Sequence, residues 1–233
     1  FVSRGLGDVY KRQIFAFIAL VILLPLFIPV ILILILTGEN KVFYLQNRVG
    51  FKNKNFKIIK FVTMLSNSEN IGSGSLTLKN DPRVLPFGSF LRKTKINELP
   101  QIINIIKGDL SIVGPRPQML VDFEKYSKNI QKKIYNVKPG LTGIGSIIFR
   151  DEESLISLAS KNENPHNYYK RVINPYKGEV EIWYQKHRSM YFDFQLIFIT
   201  AWVVLFPKSK IYEKWFKDLP CLLYTSPSPR DTN

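Results

Sequence analysis

The longest apolar run of the chain covers residues 14–37 and contains no charged side chain. About 20 such residues suffice for a helix to cross the hydrocarbon core of a bilayer. Pro25 and Pro29 lie inside the run, where each removes a backbone donor and disfavours a straight helix. The run therefore predicts a membrane helix, either a kinked span or a re-entrant helix that enters and leaves by one face. Basic residues follow from Lys41 to Lys60, which places the downstream side in the cytoplasm.

Two short apolar runs further along the chain predict a β-hairpin. They cover residues 42–45 and 56–61 and flank the polar segment NRVGFKNKN. Residues 65–79 come next and are rich in Ser, Asn and Gly, a composition that predicts a mobile loop.

Helical spacing dominates the remaining pattern. A helix is predicted at residues 96–107, ending at Gly108, because its apolar residues share one face: Leu99, Ile102, Ile103 and Ile106. Further helices are predicted at residues 122–136 and 152–161. Residues 191–206 are apolar and aromatic but short for a span, so they predict an interfacial or core helix. The whole pattern predicts a mostly α-helical fold with a small β-hairpin and an N-terminal, Pro-broken, re-entrant membrane helix.

Composition narrows the class of partner. The 233 residues include one Cys and two His, too few for a Cys/His metal site or a disulfide framework. The formal net charge of +15 favours an anionic partner, which could be nucleic acid, anionic lipid headgroups or a phosphorylated substrate. No standard nucleic-acid-binding motif is present in the sequence, so we predict no nucleic-acid partner.

The two ends of the chain share an unusual relationship. Residues 3–13, SRGLGDVYKRQ, and residues 221–231, CLLYTSPSPRD, can be encoded by opposite strands of one DNA segment that resembles a sequencing adapter. We therefore interpret residues 1–13 and 221–233 as adapter-derived, which resequencing of the locus tests. Without these two segments the net charge is +13, because the first carries +2 and the second carries none. The predicted organisation is then a membrane helix at 14–37 and a cytoplasmic domain at 38–220.

Charged residues of both signs are densest between Asp81 and Pro117, among many Gly and Pro residues. Arginine forks suit the oxygens of a diphosphate. Glu98 is a candidate ligand for Mg²⁺, which takes one or two carboxylates plus substrate phosphates. It also lies near the start of a predicted helix, where backbone donors favour phosphate. On these residues alone, the simpler interpretation is preferred, in which Glu98 is a charge in the first turn of a helix and Arg92 is a solvated side chain.

The order and spacing of several motifs resemble those of the bacterial sugar transferases called polyprenyl-phosphate phosphoglycosyl transferases. The resemblance extends from residue 14 to about residue 220 and rests on these segments: Gln46, Arg48 and Gly50; Lys60-Phe61-Val62-Thr63-Met64; Asp81-Pro82-Arg83; Leu91-Arg92; Asn97-Glu98-Leu99-Pro100-Gln101; Gly108-Asp109-Leu110-Ser111; Val113 to Pro117; and Lys138 to Gly143.

The resemblance implies a monotopic enzyme on the cytoplasmic face of the bacterial inner membrane, with 38–220 as its catalytic domain. Such an enzyme uses Mg²⁺ and moves a sugar-1-phosphate from a UDP-sugar to undecaprenyl (polyprenyl) phosphate, the first membrane step of surface polysaccharide or glycoconjugate synthesis. It implies that Glu98 is the catalytic, metal-associated acid. Matching substrate-binding positions are Lys60, Asp81, Arg83, Arg92, Arg116 and Lys138. The sugar, the glycan pathway and the oligomeric state are not predicted.

Three positions depart from the family pattern. Asn97 stands where the nucleophilic Asp is expected, Val62 replaces the Arg of the KFRTM segment, and Leu24 replaces a Ser before Pro25. Three hypotheses for Asn97 compete: Glu98 acts alone as nucleophile or metal ligand, the acceptor phosphate attacks directly, or the chain is a catalytically inactive membrane scaffold. We favour an active enzyme, because the rest of the motif set is retained.

Overall fold

Helix α1, Val2–Thr37, is the longest element and continues through Pro25 and Pro29. The computed structural model describes residues 2–37, 40–72, 76–159 and 164–220. Within α1, Ala16–Thr37 is long and apolar enough to cross a membrane. The predicted apolar helix is therefore confirmed, whereas the break at its prolines is not seen.

One stripe of α1 packs on the rest of the chain. Phe27, Val30 and Leu34 are buried against Phe61 and Leu91. The i, i+3, i+7 spacing of the first three places them on one helical face. Between residues 16 and 36 the opposite face is exposed and apolar, and it includes Phe17, Ile18, Val21, Ile22, Ile28 and Leu32.

The predicted hairpin is confirmed and is longer than the apolar runs alone indicate. Strand β1, Phe43–Val49, pairs antiparallel with β2, Asn55–Phe61. The connecting turn follows Gly50 and uses positive φ at Lys52 and Asn53. Asn is tolerated in this conformation better than most residues, which explains why polar residues fill the turn.

Helix α2, Pro86–Thr94, begins with Pro at its first turn and ends at Lys95, whose φ of 61° is left-handed. The predicted helix at 96–107 is confirmed as one helical segment with two geometries. Its first half, Ile96–Gln101, is a 3₁₀-helix, and its second half, Ile102–Lys107, is helix α3. Gly108 ends it with a φ of 84°, as its position predicts.

Asn104 of α3 fixes the hairpin against this segment. Its side-chain amide donates to the Lys57 carbonyl at 2.8 Å, and its Oδ1 accepts from the Ile59 amide at 3.0 Å. Strand β2 is therefore hydrogen-bonded both to β1 and to a side chain of α3.

Two glycine-containing loops come together through a short parallel pair. Strand β3, Ser111–Val113, pairs with β4, Gly140–Thr142. A Cβ on Gly114 or Gly140 would overlap backbone atoms of the other loop, and a Cβ on Gly143 would overlap the Gly114 carbonyl. The loop after β3 and the loop before β4 can approach this closely because these positions lack side chains.

The prediction of a single helix at residues 122–136 is wrong. The structure has two short helices there, α4 at Leu120–Phe123 and α5 at Lys128–Lys133. The side chain of Ser127 accepts a hydrogen bond from the Ile130 amide and so starts α5 as a separate helix. Residues 140–159 continue through β4 into α6, Ile144–Ile148, and α7, Glu152–Ala159. Helix α7 confirms the prediction at 152–161 up to residue 159.

The C-terminal part is helical. Helix α8, Pro165–Tyr168, leads through a π-helical turn, Tyr169–Ile173, into α9, Asn174–His187. Helix α10, Met190–Leu205, buries Phe192, Leu196, Ile199 and Val203 in the main core cluster, which confirms the core interpretation of this helix. Its other side is exposed and apolar, and the short helix α11, Ile211–Trp215, lies beside it. Residues 221–233 lie outside the described residues.

Candidate active site

The 3₁₀-helix between α2 and α3 places Glu98 at the centre of the candidate site. Its side chain is 16% exposed. Oε1 accepts from Arg116 Nη2 at 3.4 Å, and Oε2 accepts from Gln101 Nε2 at 3.4 Å. Gln101 is one helical turn further along, so the local helix itself supplies the second contact.

Glu98 is ionised because cations surround it. Burial alone would raise the pKa of this carboxyl, but Arg116, Lys60 and Lys95 lower it well below its usual range. The same crowding acts on Lys60, whose pKa falls to about 7, first through burial and then through the positive charges of Arg48 and Arg116. One carboxylate among several cations leaves this site with a net positive charge.

The hairpin brings two of these cations to one face. Arg48 lies on β1 and Lys60 on β2, and both line a small cavity with Ile58, Gln101 and Arg116. Alternate residues of a strand share a face, and cross-strand partners do so too, so Arg48 and Lys60 point the same way. Arg48 is held there by Gln46 Oε1 at 3.1 Å and by the Pro117 carbonyl at 3.2 Å.

The loop after β3 supplies Arg116. Its Nη1 donates to Ser146 Oγ at 3.3 Å, and its backbone amide donates to Glu181 Oε1 at 2.9 Å. The charge of Glu98 raises the pKa of Arg116 above its ordinary value, and burial opposes that effect. The close contact of the two glycine-containing loops fixes the position of the Arg116 backbone.

Asp81 and Arg83 form a buried ion pair, with 2.6 Å between Arg83 Nη2 and Asp81 Oδ2. Neither residue lines the cavity described above. The guanidinium of Arg83 also donates to three carbonyls: those of Ser68, Ile71 and Leu76. The hydrogen bond from Arg83 lowers the pKa of Asp81. This pair therefore binds together the described parts of the loop predicted at 65–79.

The other predicted substrate-binding residues lie at the margins. Arg92 pairs with Glu153 of α7, although its charge still reaches Lys60. The ammonium of Lys138 lies 3.6 Å from the point that a Cβ on Gly108 would occupy, at the end of α3. The structure thus groups Glu98, Lys60 and Arg116, pairs Arg92 with Glu153, and places Lys138 beside the end of α3.

Asn97 is buried beside this cluster. Its side-chain Oδ1 has no hydrogen-bond partner among the described residues. Across residues 2–37, 40–72, 76–159 and 164–220, no three Asp, Glu, His or Cys side chains are grouped to hold a metal ion. The donor set fits Mg²⁺ when the substrate supplies further oxygens, because Glu98 offers a carboxylate and Asn97 an amide oxygen.

Several residues of the site were not among those predicted. Arg48 belongs to a recognised motif, but its place in the cavity depends on the hairpin register. Lys95 and Gln101 each lie three residues from Glu98 in the sequence, and this spacing could have identified them as neighbours of Glu98. Ser146 and Glu181 had no such signal, since they reach Arg116 from distant helices.

The sequence profile of the family described as "Bacterial sugar transferase" matches residues 8–207. This match covers most of the chain, so the chain belongs to the bacterial sugar transferase family.

Individual relatives agree with this assignment. The chain is 32% identical over 216 residues to the UDP-N-acetylgalactosamine-undecaprenyl-phosphate N-acetylgalactosaminephosphotransferase of Aeromonas hydrophila, covering 87% of the chain and 47% of that protein. It is 31% identical to the UDP-glucose:undecaprenyl-phosphate glucose-1-phosphate transferase of Escherichia coli K12, covering 84% and 40%. It is 34% identical to the exopolysaccharide production protein ExoY of Sinorhizobium fredii, covering 65% and 74%. The chain thus spans less than half the length of the first two relatives.

Proposed function

We propose that this chain transfers a sugar-1-phosphate from a UDP-sugar to a polyprenyl phosphate such as undecaprenyl phosphate, at the membrane surface. The observation that carries this proposal is the cluster of Lys60, Lys95, Arg48 and Arg116 around Glu98. A diphosphate brings negative charges that this cluster can neutralise. The named relatives act on UDP-sugars and undecaprenyl phosphate, which fits such a site.

The lipid acceptor requires access to a membrane. The exposed face of α1 and the exposed face of α10 are both apolar, and such surfaces favour contact with acyl chains. We assign the protein to the cytoplasmic face of the bacterial inner membrane, because basic residues follow α1. The two prolines of α1 support a re-entrant arrangement, in which the helix bends inside the lipid and both of its ends stay on the cytoplasmic side.

Glu98 would hold Mg²⁺ together with phosphate oxygens of the substrate and the amide oxygen of Asn97. The ion would supply further neutralisation of phosphate charge. Because Glu98 lies among cations, the protein binds the ion together with the diphosphate rather than alone. Lys60 and Arg116 contact the diphosphate directly. Arg92 and Lys138 contact outer parts of the substrate, and Asp81 with Arg83 shapes the loop beside it.

Direct attack by the acceptor is the route that these residues support best. The amide of Asn97 is a poor nucleophile, and the carboxylate of Glu98 is assigned to the metal ion and lies against Arg116. An oxygen of the lipid phosphate attacks the β-phosphorus of the UDP-sugar. The bond from that phosphorus to the bridging oxygen breaks, and UMP leaves with the bonding electrons. The product is a lipid diphosphate that carries the sugar.

Asn97 also supports a second candidate, a membrane scaffold without catalytic activity. The two candidates differ in a direct assay of UMP release from a panel of UDP-sugars, with Mg²⁺ and undecaprenyl phosphate. We expect UMP release by the wild type and a loss of at least about a hundredfold in Glu98→Gln, as for removal of one preorganised electrostatic contact. Glu124→Gln, an exposed carboxylate on the short segment after α4, is the matched control. Absence of UMP with every donor would favour the scaffold.

A further inference from the structure

Glu181 of α9 is a carboxyl group in the interior of the protein, behind the candidate site. It is 1% exposed. Its Oε1 accepts the backbone amide of Arg116 at 2.9 Å, while its Oε2 has no hydrogen-bond partner among the described residues. An ionised carboxylate buried with one unpartnered oxygen costs far more than the neutral acid in the same place, so burial favours the protonated form.

Gly145 of α6 makes room for this carboxyl. A Cβ on Gly145 would overlap Oε1 of Glu181, and its next nearest neighbours are other atoms of the same carboxyl. The residue after Gly145 is Ser146, which accepts the hydrogen bond from Arg116 Nη1. Glu181 therefore contacts Arg116 directly through the Arg116 backbone amide. It also lies against Gly145, the neighbour of the Ser146 that binds the Arg116 side chain.

We propose that Glu181 is a positioning residue that holds Arg116 at the phosphate-binding pocket and adjusts the charge of that pocket through its own protonation. The inference rests on the proposed function for the identity of the ligand. It extends that function by adding a residue that does not touch substrate and by predicting how pH regulates the site.

Burial raises the pKa of Glu181 to about 7, although the Arg116 amide and the charges of Arg116 and Lys177 oppose the shift. Three phenols also interact with it, and burial raises the pKa of each: Tyr126, Tyr135 and Tyr184. Near neutral pH Glu181 therefore changes charge behind Arg116, while Lys60 changes charge within the pocket in both the wild type and Glu181→Gln. Its ionisation above pH 7 adds a negative charge that weakens anion binding in front.

Folding stability provides one test that needs no ligand. In the unfolded chain this carboxyl has its ordinary pKa of 4.5, so between pH 4.5 and about 7 the native state holds a proton that the unfolded state has lost. The stability that this proton contributes is complete below pH 4.5 and is lost as pH rises to about 7. Glu181→Gln cannot ionise, so its melting temperature relative to the wild type should rise between pH 5 and pH 8. A constant difference would contradict protonation of Glu181.

Ligand binding tests the positioning role. UDP is the probe, and its affinity is measured by calorimetry on the full chain in detergent, with the variant and the wild type compared at each pH. Between pH 6 and pH 8.5 the wild type should lose about threefold to tenfold in affinity relative to Glu181→Gln, as expected from one added buried charge. Glu179→Gln, an exposed carboxylate on the same helix, should follow the wild type. Identical pH profiles for all three proteins would overturn the proposal.

Gly145→Ala tests the geometry without removing the carboxyl. It should weaken UDP binding about tenfold by displacing Glu181, and the shorter side chain in Gly145→Ala/Glu181→Asp should recover part of that loss. Unchanged UDP affinity in Gly145→Ala, or a double variant no better than the single one, would overturn the positioning role. UDP binding without UMP release would refute the proposed transfer while leaving these comparisons intact. A wild type that does not bind UDP would refute both.

Discussion

At the scale of single residues, position 97 determines the chemistry of the site. An amide replaces the expected carboxylate there, is buried, and lies next to an ionised Glu98. If the acceptor attacks directly, the wild type should release no UMP from a UDP-sugar without polyprenyl phosphate. Asn97→Asp restores a nucleophile, and a covalent route splits the displacement into two steps. We therefore expect Asn97→Asp to release UMP without acceptor, up to about one equivalent per protein in rapid-quench measurements.

Asn97→Ala is the control, since it removes the amide and supplies no nucleophile. Stoichiometric UMP release by the wild type without acceptor would contradict direct attack and would identify Glu98 as the nucleophile. Loss of that burst in Glu98→Gln would then confirm the alternative.

The structure brings three of the predicted site residues together and pairs two others elsewhere. Lys60, Glu98 and Arg116 lie far apart in the chain, and the motif resemblance alone indicated that they belong together. Asp81 and Arg83 come from an equally clear motif, yet the structure pairs them with each other and with loop carbonyls. A motif reports which residues a family retains and does not distinguish a ligand contact from a buried ion pair.

At the scale of elements, the contact between the loop after β3 and the loop before β4 determines the position of the Arg116 backbone. Gly140→Ala should therefore destabilise the protein by about 3 kcal/mol or more, because rigid backbone lies where its Cβ would go. Gly178→Ala is the matched contrast, since its Cβ would meet mainly side-chain atoms of Ile130, which can move. Denaturant unfolding of both variants in detergent measures the difference. Equal losses of stability would show that the loop contact is not the constraint.

The same scale shows where periodicity predicts elements and where it fails. The apolar spacing at 96–107 correctly predicted a helical segment, and Gly108 correctly predicted its end. Spacing did not predict the 3₁₀ geometry of its first half, which turns Glu98 toward Arg116. The single helix expected at 122–136 failed because one hydrogen bond at Ser127 starts a new helix. Local hydrogen bonds of this kind leave little trace in a hydrophobic pattern.

Helix α1 offers a test of membrane topology. Single cysteines are placed near its two ends by Ile14→Cys and Thr37→Cys, both at exposed positions, in a Cys221→Ser background. A re-entrant helix exposes both sites to the cytoplasm, so an impermeant maleimide should label both in inverted membrane vesicles. Lys128→Cys, exposed on α5, is the positive control. Labelling of one α1 site in inverted vesicles and of the other in spheroplasts would show a span instead.

At the scale of the whole molecule, the cations of the candidate site and most of the exposed apolar side chains lie on different elements. The cations gather around Glu98 in the interior of the domain, while the exposed apolar side chains concentrate on α1 and α10. The long apolar helix was predictable, because a run of 24 uncharged and mostly apolar residues is long enough for a helix that crosses a membrane. The exposed face of α10 was not, since which side of a mostly apolar helix is buried depends on the core that it meets.

The three tryptophans allow this separation to be measured in one experiment. Trp183 is 8% exposed in the core, whereas Trp202 and Trp215 are 36% and 43% exposed on α10 and α11. If α10 lies at the lipid interface, brominated phospholipids should quench Trp202 and Trp215 and leave Trp183 bright, because aromatic side chains prefer the interfacial region. The Trp202→Phe/Trp215→Phe variant should lose most of the quenching, whereas Trp183→Phe should keep it. Quenching that survives the double substitution would place the core, rather than α10, against lipid, and the proposed orientation of the whole domain would then be wrong.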